Sequence, residues 1–397
     1  MQTSLKSIFD RYVTVNNIFK NKKAITTSYR PESLPHRERE INTIATILAP
    51  SLRGERPSNI FIYGKPGTGK TAVISYVAKK LEESSKNGNV KVIYVNCKMR
   101  KIADTEYRLI AHLAREMGED VPVTGLPTEQ VYNIFFKTVD KKERIIILIL
   151  DEIDVLFEKI GDDFLYNLVR INENLKNAQI NIVGISNNLS FLNSIDPRVK
   201  SSLSEEELIF KPYNAAELQN ILRDRCEIVF NDGVIDDGVV EKCAALAAQE
   251  HGDARRALDL LRVAAEIAER MNSDKVEEIH VDMADAKIDR DRILETIEMQ
   301  PRQSQAVLWS IIKLNGNEVY TGDVYDVYKK ICVDVGLKPL TQRRISDLIS
   351  ELDLLGIINA KVISKGRYGR TRKVSLSLDN GLLEKIKEIM TTKYYFQ

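Results

Sequence analysis

The sequence has few cysteines and almost no excess of charge. Its 397 residues include four cysteines, Cys97, Cys226, Cys243 and Cys332, which are scattered without a C-x-x-C pair. That spacing argues against a structural zinc site or a redox motif, and such thiols fit a reducing compartment. The 58 lysines and arginines oppose 57 aspartates and glutamates, which leaves a net charge of +1. Any surface for nucleic acid must therefore be local.

Long apolar runs are also missing. No stretch approaches the roughly 20 apolar residues that a membrane helix needs, and the N-terminus has no apolar signal region. We therefore expect a cytoplasmic protein without a membrane partner. The hydrophobic fraction of 43% and the charged fraction of 29% are typical of globular chains. The length predicts two or three domains.

One segment, Gly64-Lys65-Pro66-Gly67-Thr68-Gly69-Lys70-Thr71, carries a specific chemical signature. It lies between an apolar run at 59–63 and a helical pattern from Ala72, which is the context of a nucleoside triphosphatase phosphate loop. Glycines let successive N–H groups face the phosphates, and the helix N-terminus adds positive potential. Lys70 is expected to reach the β- and γ-phosphates, and the Thr71 hydroxyl to bind Mg²⁺. The predicted nucleotide-binding residues are Gly64, Gly67, Thr68, Gly69, Lys70, Thr71 and Ala72.

Three further apolar runs predict a parallel sheet. They cover 90–96, 144–151 and 181–187, and helical patterns separate them, as in an α/β domain. Between the second and third strands lie two helical patterns, at 104–117 and 128–139, although a parallel crossover needs only one. The additional helix is therefore an insertion into the core.

Polar side chains follow two of these strands. Asp151 and Glu152 end a buried strand, where open α/β sheets place their ligand sites. Asp151 is expected to hold Mg²⁺ through water, and Glu152 to polarise the water that attacks the γ-phosphate. Asn187, after the next strand, is a candidate for contact with the γ-phosphate or that water. The alternatives are a polar cluster that only ends a strand and, for Asn187, a turn residue.

Pattern changes divide the chain into four regions. Residues 1–24 are polar and predict a flexible N-terminal arm, and 25–213 form the predicted ATP-binding core. Residues 214–299 are helical in pattern throughout and predict a lid domain. In the lid, Gly252-Asp253 caps a helix that presents Arg255, which is a candidate lid arginine for the γ-phosphate. The alternative for this arginine is a solvated position on the helix face.

Residues 300–397 predict a C-terminal winged-helix domain, with three helices and a β-hairpin. The hairpin tip is basic and contains no acidic residue, and the predicted recognition helix opens with two arginines. Basic residues at both contact points favour DNA binding over a merely solvated turn. The predicted contacts are Thr341, Gln342, Arg343, Arg344, Lys365, Arg367, Arg370, Arg372 and Lys373.

Together these motifs resemble the archaeal DNA replication initiators of the origin-recognition-complex type, a clade of the AAA+ ATPases related to the cell-division-control helicase loaders. The resemblance starts at about residue 34 and rests on ordered motifs at 64–71, 151–154, 184–187, 196–200, 252–256, 341–344 and 365–369. It implies a parallel-sheet AAA+ core, a helical lid and a winged helix. It also implies ATP or ADP with Mg²⁺ as cofactors and double-stranded origin DNA as partner. A paralogous initiator and the replicative helicase are the further partners that it suggests.

Several residue roles follow from that resemblance. Asn187 corresponds to the first sensor and Arg255 to the second, while Tyr213 and Arg225 stand where the family lines its adenine pocket. The inserted helix touches DNA in the family. The implied catalytic residues are Lys70, Asp151, Glu152, Asn187 and Arg255, and the implied further DNA contacts are Arg100, Lys101 and Tyr368.

One position departs from the family pattern. AAA+ proteins usually carry an arginine that reaches the ATP of a neighbouring subunit, and Ser202 stands in its place, with Arg198 and Lys200 nearby. Such an arginine contributes about 10³–10⁵ in rate. Its absence predicts a weak ATP hydrolase that acts as a switch.

The expected function is thus an ATP-dependent replication initiator that binds origin DNA in the nucleoid and helps to recruit the helicase. One alternative is an ATP-dependent regulator whose winged helix binds protein. Another is a clamp-loader-like AAA+ subunit. The basic wing and the missing trans-acting arginine count against a clamp loader.

Overall fold

The computed structural model describes residues 18–26, 29–85, 88–99, 102–203, 205–314, 319–364, 370–378 and 380–392. The chain forms two compact units, Met1–Asp282 and Met283–Gln397. Within the described ranges, no helix is both long and apolar enough to cross a membrane. Some predicted sites lie outside the described residues: 1–17 of the arm, Arg100, Lys101, Lys365, Arg367 and Tyr368.

A five-stranded parallel sheet forms the centre of the first unit. Its strands are β1 (Ile60–Gly64), β2 (Val90–Asn96), β3 (Arg144–Asp151), β4 (Ala178–Ser186) and β5 (Glu206–Phe210), in the order β2-β3-β4-β1-β5. Alternate residues of β3 enter different apolar clusters on the two faces of the sheet, which explains why its sequence is apolar throughout. Because β4 pairs with both β1 and β3, the carboxyl ends of these three strands meet at one edge.

Eight helices of the described chain accompany this sheet. They are α1 (Glu38–Leu48), α2 (Lys70–Ser84), α3 (Glu106–Glu116), α4 (Thr128–Val139), α5 (Ile153–Ile160), α6 (Asp162–Val169), α7 (Phe191–Ser194) and α8 (Pro197–Leu203). Short 3₁₀ segments occur at Ala49–Arg53 and Ile171–Asn174. Two helices, α3 and α4, lie between β2 and β3 and pack into the same apolar cluster. The structure therefore contains the additional helix that the sequence predicts.

The lid consists of helices that follow β5. They are α9 (Ala215–Val229), α10 (Val239–Gln249), α11 (Ala254–Met271) and α12 (Glu278–Met299). Asn214 and Glu217 form a reciprocal capping box at the start of α9, which explains the sharp beginning of that helix. The division between the two units falls inside α12, after Asp282, because Ile293, Leu294 and Ile297 pack in the core of the second unit.

The segment before the core packs on the lid. Ile18 and Phe19 are buried, and the backbone N–H groups of Lys20 and Asn21 donate to the carbonyl of Val229 at 2.8 and 3.0 Å. A 3₁₀ helix, Lys22–Ile25, follows. The described part of the predicted flexible arm, 18–24, thus packs on the lid. Its few apolar residues are separated by polar ones, which hides the packing from a reading of the sequence.

The second unit has the helices and the hairpin of a winged helix. Its elements after α12 are α13 (Arg302–Lys313), β6 (Val319–Tyr320), α14 (Thr321–Asp334), α15 (Gln342–Leu354), β7 (Ile358–Ser364), β8 (Arg370–Leu376) and α16 (Asn380–Thr392). The strands form an antiparallel sheet in the order β6-β8-β7. The sequence did not predict β6, because two residues are too few to show an alternating pattern.

Candidate nucleotide-binding site and nucleic-acid interface

The predicted phosphate loop connects β1 to α2. Gly67 and Gly69 have φ values of 71° and 90°, in the left-handed region that favours glycine. Lys70 opens α2 and is only 5% exposed, and its Nζ donates to the carbonyls of Gly64 at 2.7 Å and Lys65 at 2.8 Å. Burial lowers the pKa of Lys70 to about 8, although the nearby Asp151 opposes that shift. The ammonium is therefore held inside the loop.

Asp151 and Thr71 lie in contact beside this lysine. Asp151 ends β3 and is 5% exposed, and its Oδ2 accepts a hydrogen bond from the Thr71 hydroxyl at 2.8 Å. The Thr71 hydroxyl at the start of α2 and the Asp151 carboxylate at the end of β3 are hard oxygen ligands of the kind that Mg²⁺ prefers. The two residues therefore fit the magnesium site that the sequence predicts.

Tyr94 was missed by the sequence reading. It lies on β2 opposite Ile149, and its hydroxyl donates to Oδ2 of Asp151 at 2.6 Å. Burial, together with the hydrogen bond to Asp151, raises the pKa of Tyr94, so the phenol stays protonated and continues to donate. Only the register of β2 against β3 reveals this contact, and the sequence does not give that register.

The candidate residues Glu152 and Asn187 lie at the same edge of the sheet. Glu152 has φ 58° and ψ 48°, which is uncommon for a residue with a side chain and typical of constrained functional positions. Its carboxylate lies 3.9 Å from Nζ of Lys98. Asn187 is exposed and comes directly after Ser186, which pairs with Tyr63 of β1. Asn187 thus follows the strand that pairs with β1, and Glu152 follows β3, one strand further from the phosphate loop.

The start of α11 contacts the phosphate loop directly. The Ala254 N–H donates to the Gly67 carbonyl at 3.2 Å. Asp253 caps α11 by accepting from the N–H groups of Arg255 at 2.7 Å and Arg256 at 3.4 Å. Its Oδ1 lies only 1.6 Å from the position that a Cβ on Gly67 would take. Gly67 is thus required both for its backbone conformation and for the approach of the lid.

Arg255 is exposed, and its charge contributes to the lowered pKa of Lys70. The two cations are therefore close enough to interact. The contact of Arg255 with the γ-phosphate stays a prediction.

Tyr213 and Arg37 lie on another side of the loop. The Tyr213 hydroxyl accepts from Nε of Arg37 at 3.0 Å and lies 2.8 Å from the position of a Cβ on Gly69. The Arg37 guanidinium stacks 3.9 Å from the centroid of the Tyr213 ring and also donates to the carbonyls of Thr68 at 3.0 Å and Lys211 at 2.7 Å. Arg37 stands in a run of charged residues at a helix start, a sequence context that gives no sign of its burial.

Arg225 has its contacts in the N-terminal segment. It is buried, donates to the carbonyl of Ala24 and lies 4.7 Å above the Tyr29 ring. Burial lowers its pKa. These contacts do not include the phosphate loop, so a role in the adenine pocket stays a prediction.

The position of the missing trans-acting arginine lies in α8. The carbonyl of Ser202 accepts from Nδ2 of Asn59 at 2.7 Å. Arg198 forms a two-point ion pair with Asp196, at 3.1 and 2.9 Å, and its guanidinium lies 5.0 Å from the centroid of the Tyr166 ring. This candidate substitute is therefore engaged within its own subunit.

In the second unit, the start of α15 is open to solvent. Residues 341–344 are all exposed, and the Thr341 hydroxyl caps the helix by accepting from the Arg344 N–H at 3.4 Å. The Arg344 side chain pairs with Glu351 at 3.1 Å and lies 3.9 Å from Asp347. The predicted recognition residues Arg343 and Arg344 therefore differ in their contacts, because the Arg344 side chain pairs with acidic residues of its own helix.

Arg372 has partners inside its own unit. Its guanidinium donates from one nitrogen to the Ser346 carbonyl at 2.6 Å and to the Ser350 hydroxyl, and its contact with DNA stays a prediction. Arg372 thus connects β8 to α15, because alternate residues of a strand face opposite sides of the hairpin. Lys373 is half-buried, and the backbone of Arg370 begins β8.

Three family models match the chain. They are the AAA domain over residues 53–191, the Cdc6 AAA+ ATPase-type lid domain over 219–286, and the CDC6 C-terminal winged helix domain over 295–386. The matches follow one another in the order in which the structure places a parallel sheet, a helical lid and a winged helix.

Individual proteins match over nearly the whole chain. The ORC1-type DNA replication protein of Thermococcus onnurineus is 54% identical and covers 94% of this chain and 92% of the relative. ORC1-type DNA replication protein 1 of Archaeoglobus fulgidus is 54% identical, with 96% and 93% covered. The structure of the Aeropyrum pernix ORC1 protein in complex with DNA has a TM-score of 0.81 and 46% identity, with 96% of this chain and 99% of that chain covered.

Proposed function

This chain belongs to the family of ORC1-type DNA replication proteins, and from that membership we propose that it is an ATP-controlled switch on origin DNA. It is a DNA replication initiator with an AAA+ core, a Cdc6-type lid and a winged-helix domain. The observation that supports a switch is the direct contact between the lid and the phosphate loop, where the Ala254 N–H meets the Gly67 carbonyl. Any nucleotide that displaces this loop must also act on the lid.

The proposed site takes ATP with Mg²⁺. The loop backbone and Lys70 would bind the phosphates, and Thr71 and Asp151 would hold the cation. Bound Mg²⁺ neutralises charge that develops on the β- and γ-phosphates. Glu152 is proposed to orient the attacking water, and Asn187 and Arg255 to contact the γ-phosphate.

The proposed hydrolysis is slow. Ser202 offers no charge to a neighbour's ATP, and Arg198 is paired with Asp196 and stacked near Tyr166. A subunit without a trans-acting arginine forgoes a factor of about 10³–10⁵ in rate. The ATP-bound form should therefore persist, and hydrolysis would mark the end of the initiating state.

The proposed DNA contact is the exposed start of α15 together with the basic hairpin. The Aeropyrum pernix ORC1 protein, whose structure matches 96% of this chain, has been solved with DNA. We propose that this chain likewise binds duplex DNA at origins and so resides in the nucleoid. Helices of this type enter the major groove with their N-terminal residues against base edges, and 341–344 occupy those positions. A paralogous initiator and the replicative helicase are proposed as further partners, on family membership alone.

Duplex binding by fluorescence polarisation tests this proposal. The probes are a labelled duplex that the protein itself selects from a randomised pool and a scrambled duplex of the same length and composition, at several salt concentrations. We expect a preference for the selected duplex that Arg343→Ala reduces and Arg343→Lys does not restore, because lysine lacks the two-point donor geometry of arginine. Absence of any preference would favour the alternative, a regulator whose winged helix binds protein.

A further inference from the structure

The turn between α14 and α15 has few backbone hydrogen bonds of its own. In the described chain, the last main-chain bond after α14 is donated by the Leu337 N–H to the Cys332 carbonyl at 2.8 Å. The next one belongs to α15, where the Ile345 N–H donates to the Thr341 carbonyl at 3.1 Å. Pro339 lies between them and has no N–H to donate. Something other than the backbone must fix this turn.

Two side chains from preceding helices bind the residues on either side of Pro339. Tyr328 of α14 is 0% exposed, and its hydroxyl accepts from the Leu340 N–H at 3.1 Å. Gln303 of α13 donates its Nε2 to the Lys338 carbonyl at 3.1 Å. Two backbone groups of the turn, the Lys338 carbonyl and the Leu340 N–H, are thus held by side chains.

These two side chains also bind each other. The Tyr328 hydroxyl donates its proton to Oε1 of Gln303 while its oxygen accepts from Leu340. A connected set of hydrogen bonds therefore runs from the Leu340 N–H through Tyr328 and Gln303 to the Lys338 carbonyl, and such sets reinforce their members. Burial raises the pKa of Tyr328 to about 12, so its hydroxyl keeps the donated proton at neutral pH.

We propose that Tyr328 and Gln303 are positioning residues for sequence readout by α15. The residue after Leu340 is Thr341, the cap of α15, so the path of the turn sets where 341–344 stand. Hydrogen bonds to base edges fail after small displacements, whereas attraction to phosphates falls off slowly with distance. Loss of the two side-chain contacts should therefore reduce sequence preference more than general DNA affinity. This inference rests on the proposed function, because it requires α15 to contact bases.

The test compares Tyr328→Phe and Gln303→Met with a matched control, Tyr325→Phe. The control removes the hydroxyl of a neighbouring tyrosine on the same helix, whose ring stacks 6.3 Å from that of Tyr328. The probes are the selected and scrambled duplexes, measured by fluorescence polarisation at several salt concentrations. Each test variant loses two of these hydrogen bonds and should bind the selected duplex about three- to thirtyfold more weakly. Binding to the scrambled duplex, and the salt slope, should stay at the wild-type values.

Hydrogen exchange gives a second readout. Exchange of the Leu340 amide should accelerate in both test variants, while amides in the middle of α15 keep their protection. If Tyr328→Phe does not fold, Gln303→Met carries the test, since it leaves the buried Tyr328 unchanged.

The outcomes separate this inference from the proposed function. If Arg343→Ala removes the preference but Tyr328→Phe and Gln303→Met retain it, the positioning role is wrong and the proposed function stands. Equal losses on both duplexes, or the same loss in Tyr325→Phe, would indicate general destabilisation and overturn the positioning role. If the wild-type protein prefers no duplex sequence, readout by α15 is wrong and the positioning role falls with it.

Discussion

Substitution of Gly67 by alanine should release the lid from the phosphate loop. The new Cβ would lie 1.6 Å from Oδ1 of Asp253, and an ordinary contact begins at 3.4 Å, so one side must move by 3.4 − 1.6 = 1.8 Å. Such a shift breaks the hydrogen bond from Ala254 to Gly67 and disturbs the Asp253 cap of α11. These contributions are about 1 kcal/mol each. A loss of about 2 kcal/mol corresponds to a roughly 30-fold change in the equilibrium of lid opening.

The matched control is Gly54→Ala. Gly54 has φ 79°, close to the 71° of Gly67, but an added Cβ there would meet no atom within 4 Å. Both variants therefore carry a similar backbone strain of about 1 kcal/mol, and only Gly67→Ala meets the lid. The difference between them isolates the steric contact.

Hydrogen exchange of the nucleotide-free protein measures the effect. Amides in the first turn of α11, including Ala254, should exchange roughly 30-fold faster in Gly67→Ala and at nearly the wild-type rate in Gly54→Ala. In an Asp253→Ala background the obstructing carboxylate is gone, so Gly67→Ala should add little, as a double-mutant cycle would reveal. Wild-type exchange in Gly67→Ala, or equal acceleration in Gly54→Ala, would refute the steric argument.

Further predictions concern the nucleotide and DNA contacts. Lys70→Ala should abolish ATP binding. In the wild type, a pKa of about 8 for Lys70 should make the affinity for ATP fall about fivefold from pH 8 to pH 9, as the ammonium loses its proton. Titration of a fluorescent ATP analogue checks both predictions, and an affinity that does not change with pH would contradict the pH dependence. Tyr94→Phe should raise the Mg²⁺ concentration for half-maximal ATP binding by about three- to tenfold, whereas Tyr63→Phe, which removes another carboxylate-bound hydroxyl, should not. Arg343→Ala should cost about 1–3 kcal/mol of sequence preference, and Arg344→Ala less, in the polarisation assay; the reverse order would contradict the structure.

Local motifs were readable from the sequence because their chemistry depends on neighbours along the chain. The phosphate loop and the cap of α11 are of this kind: Gly67, Lys70 and Asp253 each stand in a short pattern with a known geometry. Asp151 was readable because it ends a continuous apolar strand. The family resemblance is confirmed by the relatives and by the three matched models.

Contacts between distant segments were not readable. Tyr94 reaches Asp151 only because β2 and β3 pair in one particular register. Arg37 is buried by segments more than 30 residues away in the chain, and Arg372 faces α15 because of the strand alternation of β8. Periodicity predicts which elements form, but it does not specify the partner that each side chain meets.

The burial of Arg37 has a consequence for which substitutions the molecule tolerates. A planar guanidinium carries five donors in fixed directions, and here they meet acceptors from the phosphate loop, Tyr213 and Lys211 at once. A lysine offers one compact ammonium that cannot reach acceptors lying apart. The exposed neighbours Glu38 and Arg39 should accept most polar residues, while position 37 should accept only arginine. Arg37 and Arg39, two arginines in the same charged run, therefore lie under very different constraints.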